Sequence, residues 1–308
     1  MKLIKIVMAL LIVTLVINAN ETLKHPFLWS IEKEGEATSY LFGTMHIPDP
    51  DLSQLPLSVK RSIDACDVIR TEIDMSLMNQ LEASQLMLRS DKKSLKQILS
   101  QKLYTRTENY LKSLHPALNL KPFNQMKIWA LSITLSLLEN QLKYPDTTII
   151  DNEVFTYAKN QNKDVGGVET IRQQIGYFDE FTLDEQILLL ESTLDFLEQE
   201  KNYTQTMKKL YVEGNGEKLI AFTNQQFGQD KYKKVEEKFM QVLLYNRNKS
   251  MVQSMVTLLK TDTKRGYFFA FGVMHFLDKK SIVEELTNHG YTVKRIKSVS
   301  YTHLTLPT

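Results

Sequence analysis

Two copies of one short motif, Gly43-Thr44-Met45-His46 and Gly272-Val273-Met274-His275, lie near opposite ends of the chain, each directly after an aromatic-rich apolar run. With 11 glycines and 6 histidines in 308 residues, chance would supply about 0.2 Gly-x-x-His matches, so a matched pair in matched surroundings is informative. Imidazole ligates metals and carries protons near neutral pH. A glycine three residues earlier lets the backbone turn sharply or approach closely, so that the ring faces a pocket. Glu72, in the run Asp67-Val68-Ile69-Arg70-Thr71-Glu72-Ile73-Asp74, adds a carboxylate near a predicted strand end. Two imidazoles and one carboxylate suit a divalent metal with open positions for water and substrate. Such a cation lowers the pKa of water it binds towards about 7 and polarises a carbonyl, which is the chemistry of hydrolysis. His46, Glu72 and His275 are thus the candidate metal ligands of a metal-dependent hydrolase, with zinc among the candidate ions.

These residues need elements that bring them together. Ser39-Tyr40-Leu41-Phe42 and Tyr267-Phe268-Phe269-Ala270-Phe271 read as buried strands. The first motif is followed by a loop with Pro48 and Pro50, an amphipathic stretch from Leu55 to Ala65, and the strand that carries Glu72. The second is followed by a helix from Lys279 to His289, a stop at Gly290, and a strand from Tyr291 to Ile296. Each is a strand, motif, helix, strand unit, which implies parallel strands with the motif at the carboxyl edge, where open α/β sheets bind ligands. The expected fold is α/β (α+β): a central mixed sheet from the two terminal units, with a large helical insertion over residues 76–262. Within the insertion, Thr182 and Glu185 form a capping box ahead of a helix expected to run to Gly214. Ile128 to Leu138 reads as a central buried helix, and Val165-Gly166-Gly167-Val168 as a short strand or turn that adds to the sheet.

Residues 1–20 have a basic start (Lys2, Lys5), an apolar core from Ile6 to Ile17 and Ala19 near their end, the pattern of a secretory signal peptide. Its core of about twelve residues is short against the roughly 20 of a membrane span. The expectation is an exported chain, periplasmic or extracellular, that touches a membrane only if this segment is retained. Residues 21–297 then form one domain. Residues 298–308 lack periodicity and resemble translated vector sequence, which removes His303 from the site. The composition, 43% hydrophobic and 24% charged with net charge +2, is ordinary for a globular protein and offers no basic face for nucleic acid. The single cysteine, Cys66, excludes an internal disulfide and reads as a small buried apolar residue.

Further motifs stand in order along the chain: Thr71-Glu72-Ile73-Asp74, Gly167-Val168-Glu169-Thr170 leading into Gln173-Gln174, Asp184-Glu185-Gln186, and Arg247-Asn248 followed by Met251. Together with Leu41-Phe42-Gly43-Thr44-Met45-His46 and the second Gly-x-Met-His, they make the chain resemble the TraB/GumN/Tiki family over roughly residues 25 to 297. The resemblance implies a split α/β fold built around two Gly-x-x-His motifs, a glutamate and an arginine. In the animal Tiki branch it implies metal-dependent proteases that prefer manganese or cobalt. On this chain those roles fall on His46, Glu72, Arg247 and His275, with Arg247 holding a substrate carboxylate or stabilising an oxyanion. Met274 stands where many bacterial relatives carry glycine, a departure that narrows the pocket.

Asp74, on the same strand face as Glu72, is a candidate to orient a histidine N–H. Glu169 reads as structural, holding the short strand to the next helix; Asp151 is a weaker candidate, and His25, His115 and His289 are placed outside the site. The resulting reading is an exported metal-dependent hydrolase, a peptidase by resemblance, acting on a peptide or small molecule. Glu72 serves either as third ligand or as general base. Two other readings use the same residues: a non-catalytic protein that binds a peptide, haem or metal ion, and a hydrolase of small esters.

Overall fold

The aromatic runs ahead of the two motifs become neighbouring strands at the centre of one sheet. The computed structural model describes residues 23–200, 202–225 and 230–297, so the expected signal peptide and the 298–308 tail lie outside the described residues. Six strands are described: β1 (Phe27–Glu32), β2 (Ser39–Thr44), β3 (Val68–Thr71), β4 (Asp164–Gly167), β5 (Tyr267–Gly272) and β6 (Thr292–Arg295). Their order is β4-β3-β5-β2-β1-β6. The pairs β2/β5, β5/β3 and β3/β4 are parallel, while β1 is antiparallel to both β2 and β6, which makes the sheet mixed.

The two terminal units interlock. The crossover from β2 to β3 leaves a gap that β5 fills, and the crossover from β5 to β6 passes over β2 and β1. In the β2/β5 register Gly43 faces Phe271 and Thr44 faces Gly272, so the motifs emerge side by side, offset by one residue. Beyond that edge they diverge. Met45 and His46 continue as an extended loop, whereas Val273–His275 curl into a single 3-10 turn. Identical residue types therefore deliver their imidazoles along different paths.

Phe42, Phe268, Phe269 and Phe271 are fully buried. They share one core with Val59 and Ile63 of the Leu57–Asp64 helix, Val154 and Ala158 of the Ile150–Asn160 helix, and Met251, Met255 and Leu259 of the Arg247–Thr261 helix. The insertion has a second core, in which Ile128, Leu131 and Leu135 pack with Leu103, Leu111, Leu190 and Leu194. The stretch Ile128 to Leu138, expected as a buried helix, lies in the helix Ile128–Lys143, which is buried chiefly over its first half.

Some elements differ from the sequence reading. β1 was not anticipated: it follows Pro26 and reaches β2 through a turn in which Gly35 adopts φ +76°, the left-handed region that glycine tolerates. The helix expected from Thr182 to Gly214 begins at the capping box but divides into Leu183–Gln199 and Tyr203–Val212. A π-helical segment, Gln241–Asn246, joins Lys233–Met240 to Arg247–Thr261 and sets the direction in which Arg247 leaves its helix. The short stretch after Asp164 is a strand and completes the sheet edge as β4. No helix among the described residues is long and apolar enough to cross a membrane.

Candidate metal centre

Glu72 follows β3 directly, and its carboxylate lies where the two motifs end. Its Oε1 is 3.3 Å from His46 Nε2 and 3.6 Å from His275 Nε2, and it accepts the Gly272 N–H at 2.8 Å. Its Oε2 accepts from Arg247 Nη2 at 2.6 Å and from Gln174 Nε2 at 2.9 Å. The backbone at Gly272 approaches the site closely: a Cβ there would lie 3.0 Å from His46 Nε2 and 3.3 Å from Glu72 Oε1, so those side chains would have to give by a few tenths of an ångström.

Each imidazole is oriented through its other nitrogen. His46 Nδ1 is 2.9 Å from Asp151 Oδ2, and the second Asp151 oxygen accepts the Thr44 hydroxyl at 2.8 Å. His275 Nδ1 is 2.6 Å from Asn248 Oδ1, and the Asn248 amide donates to the Lys280 carbonyl, which fixes its oxygen towards the ring. Both Nδ1 atoms therefore carry the hydrogen, and both Nε2 atoms turn towards Glu72.

The electrostatics separate the two histidines. Burial pushes His275 down to about 4, with Arg247 and His46 adding to the effect against the pull of Glu72, so it is neutral at physiological pH. His46 loses solvation too, but the charge and hydrogen bond of Asp151, aided by Glu72, hold it well above the ordinary histidine value. Burial would raise Glu72, yet Arg247 and the two histidines outweigh it and hold the carboxyl well below the usual range. Burial raises Glu169 in spite of Arg247. The site opens to solvent on one side: the His46 side chain is 46% exposed, against 7% for His275 and 9% for Glu72.

Residues 27–295 match the TraB/PrgY/gumN family. The chain belongs to that family. It is 24% identical to the Metalloprotease TIKI homolog of Nematostella vectensis, over 88% of this chain and 67% of that protein. Identity is 23% to Metalloprotease TIKI1 of Danio rerio, over 90% of this chain and 64% of that protein, and 22% to Metalloprotease TIKI1 of Homo sapiens, over 87% and 61%. The chain thus spans about two thirds of the length of these curated relatives. No solved structure matches it.

In this TraB/PrgY/gumN chain, four residues singled out from sequence, His46, Glu72, Arg247 and His275, come together. Arg247 is 7% exposed, and its guanidinium bridges Glu72 at 2.6 Å and Glu169 at 2.7 Å, with Nη1 on the Leu243 carbonyl. Those bonds make it the buried counter-ion of Glu72 and Glu169. Glu169 is accordingly the buried partner of Arg247, beyond its expected link between strand and helix. Asp74 does not orient a histidine; its carboxylate accepts the Ser76 N–H at the start of the next helix. Cys66 is buried and unpaired, as its type suggested.

Asp151, Asn248 and Gln174 are the residues that sequence reasoning underrated or missed. Asp151 lies in the first turn of a helix, where an acidic residue ordinarily serves the helix dipole, and nothing local ties it to His46. The signal for Asn248 was its place beside Arg247 in the Arg-Asn motif.

The donor set suits a divalent cation chemically: the unprotonated His275 Nε2 and the Glu72 carboxylate are ready acceptors, and His46 Nε2, which shares a proton with Glu72, joins them once that proton is displaced. A tetrahedral site with bonds of about 2.0–2.2 Å has donor–donor edges of roughly 3.3–3.6 Å, the span of the His46–Glu72 and His275–Glu72 separations, 3.3 and 3.6 Å. Among the described residues, no group of three or more His, Cys, Asp or Glu side chains already has the geometry to hold a metal ion. The match lies in donor type, tautomer and these two edges.

Proposed function

We propose that the chain is an exported metal-dependent hydrolase that cleaves amide bonds in peptides. The observation that carries this reading is the convergence of His46 Nε2 and His275 Nε2 on Glu72 Oε1, at 3.3 and 3.6 Å, with Asp151 and Asn248 fixing both tautomers. His46, His275 and Glu72 would hold the cation, and Asp151, Asn248, Gln174 and Arg247 orient those three. The metalloprotease names of the relatives support the same reaction class. A divalent cation held there supplies Lewis-acid polarisation of a carbonyl and acidifies water.

The chain's own residues divide the remaining work. His275 and Glu72 form a buried floor, and His46 forms the solvent-facing wall, so substrate approaches across His46. Glu72 is held ionised by Arg247, which suits an anionic ligand and makes it a poor proton acceptor at neutral pH. Of its two anticipated roles, ligation is therefore the one we assign. The leader-like residues 1–20 support export.

A second reading, hydrolysis of a small ester with His46 as general base, is favoured by the same Asp151 contact, which raises the proton affinity of His46. Incubating the purified protein with a quenched fluorescent peptide pool, with Mn(II), Co(II) or Zn(II) and with or without chelator, separates the two. Cleavage that needs the cation and disappears in His275→Ala supports the amide hydrolase. Chelator-insensitive turnover of esters alone supports the second reading, and absence of any peptide cleavage under all three cations overturns the first.

A further inference from the structure

A cavity of about 410 Å³ is lined by Ile47, the residue directly after His46 of the candidate centre. Its apolar lining is Ile47, Leu114, Leu137, Phe196 and Leu197, interspersed with Ser113, Ser136, Asn140 and Thr204. Its only charged lining residues are two acids, Glu139 and Glu200, and neither forms an ion pair or side-chain hydrogen bond among the described residues. Tyr110 also lines it, 8% exposed, with a hydroxyl that makes no hydrogen bond among the described residues. A second cavity of about 400 Å³ shares Glu139, Asn140 and Thr204 with the first and is lined in addition by Lys143, Lys208 and Lys209, so the acidic lining is confined to the first.

We infer that this cavity is a specificity subsite that accepts the side chain of an arginine or lysine in a peptide substrate. Apolar walls suit the methylene stem of a long basic side chain, and carboxylates suit its cationic head, the division such side chains make wherever they are partly buried. The Tyr110 hydroxyl accepts a further N–H. Short apolar residues would leave the carboxylates and the hydroxyl unmatched, and acidic residues would be repelled. The subsite rests on the hydrolase reading only for the fate of the bound peptide, because the recognition itself needs no reaction.

Fluorescence anisotropy in the presence of chelator measures it on the full chain, using labelled alanine-glycine hexapeptides with one arginine, one norleucine or one glutamate. The arginine peptide is expected to bind at least about fivefold more tightly than the glutamate peptide at low salt, with the difference shrinking as salt rises. Glu139→Gln with Glu200→Gln should remove that preference without moving the unfolding temperature, since both acids are exposed and unpartnered. Ser136→Trp, which fills the cavity, should weaken binding of the arginine peptide. Equal binding of the three peptides, or a preference that survives the double glutamine variant, overturns the subsite. An arginine preference without cleavage under any cation keeps the subsite and removes the hydrolase reading; cleavage with no basic preference does the reverse.

Discussion

Replacing Arg247 by methionine removes the guanidinium that bridges two buried carboxylates, and its consequence can be worked out. Arg247 is 7% exposed and bonded at 2.6 and 2.7 Å to Glu72 and Glu169, each also 7% exposed. Breaking a buried ion pair from one side costs about 3–5 kcal/mol. Proton uptake sets a ceiling on that loss. Glu72 keeps the Gly272 and Gln174 donors, so the proton goes to Glu169, whose pKa burial already raises above the ordinary 4.5. Protonating a carboxyl of ordinary pKa at pH 7 spans about 2.5 units at roughly 1.36 kcal/mol each, or about 3.4 kcal/mol. The variant's folded state then binds one more proton than its unfolded state, so its stability falls by about 1.4 kcal/mol per pH unit between pH 5 and 7. The shifts of His46 and His275 are common to both proteins and Glu72 is ionised in both states of the wild type, so this slope appears in the difference between variant and wild type. Urea unfolding at pH 5, 6 and 7 should show a deficit of about 3–4 kcal/mol at pH 7 that shrinks to about 1 kcal/mol at pH 5. Adding Glu169→Gln to the variant should flatten the slope. A deficit below about 1 kcal/mol at pH 7, or one that does not change with pH, would refute the counter-ion role.

Asp151→Asn takes away the charge that raises His46, so the His46 pKa, followed by NMR, should fall while cation affinity drops by about 10–100-fold, the usual effect of losing a ligand's orienting partner; an unmoved titration would count against the contact. Gly272→Ala places a methyl 3.0 Å from His46 Nε2 and displaces that ring by a few tenths of an ångström, so cation binding measured by calorimetry should weaken, and full retention would mean that the site does not close there. Apparent cation affinity should rise with pH by about tenfold per unit through the neutral range, because the cation must expel a proton from His46. His275, pushed down to about 4, adds no slope above pH 5, so a two-proton dependence at pH 6 to 8 would contradict the assignment.

The sheet and the pairing of its two motifs were legible because both rest on local signals: aromatic runs, a glycine, a histidine and a helix-sized interval before the next strand. Parallel pairing of β2 with β5 then followed from the rule that such units place their motifs at one edge. β1 was less visible, since it follows a proline and pairs through a turn whose one marker is Gly35. The network behind the site was mostly not legible. Asp151 meets His46 across 105 residues, and Gln174 meets Glu72 across 102, and their types alone suggest an ordinary helix first turn and an ordinary helix surface. Arg247 was found by resemblance, but its use as a buried counter-ion depends on the π-helical segment before it and on Glu169, which no periodicity reveals.

The central claim is that His46, His275 and Glu72 share one cation, and titration of the chelator-treated protein with Mn(II) by electron paramagnetic resonance and calorimetry tests it most directly. One ion per chain should bind to the wild type and to His115→Ala, while His46→Ala and His275→Ala each lose binding without unfolding. Absence of binding in the wild type, or binding that persists when His275 is removed, would contradict it.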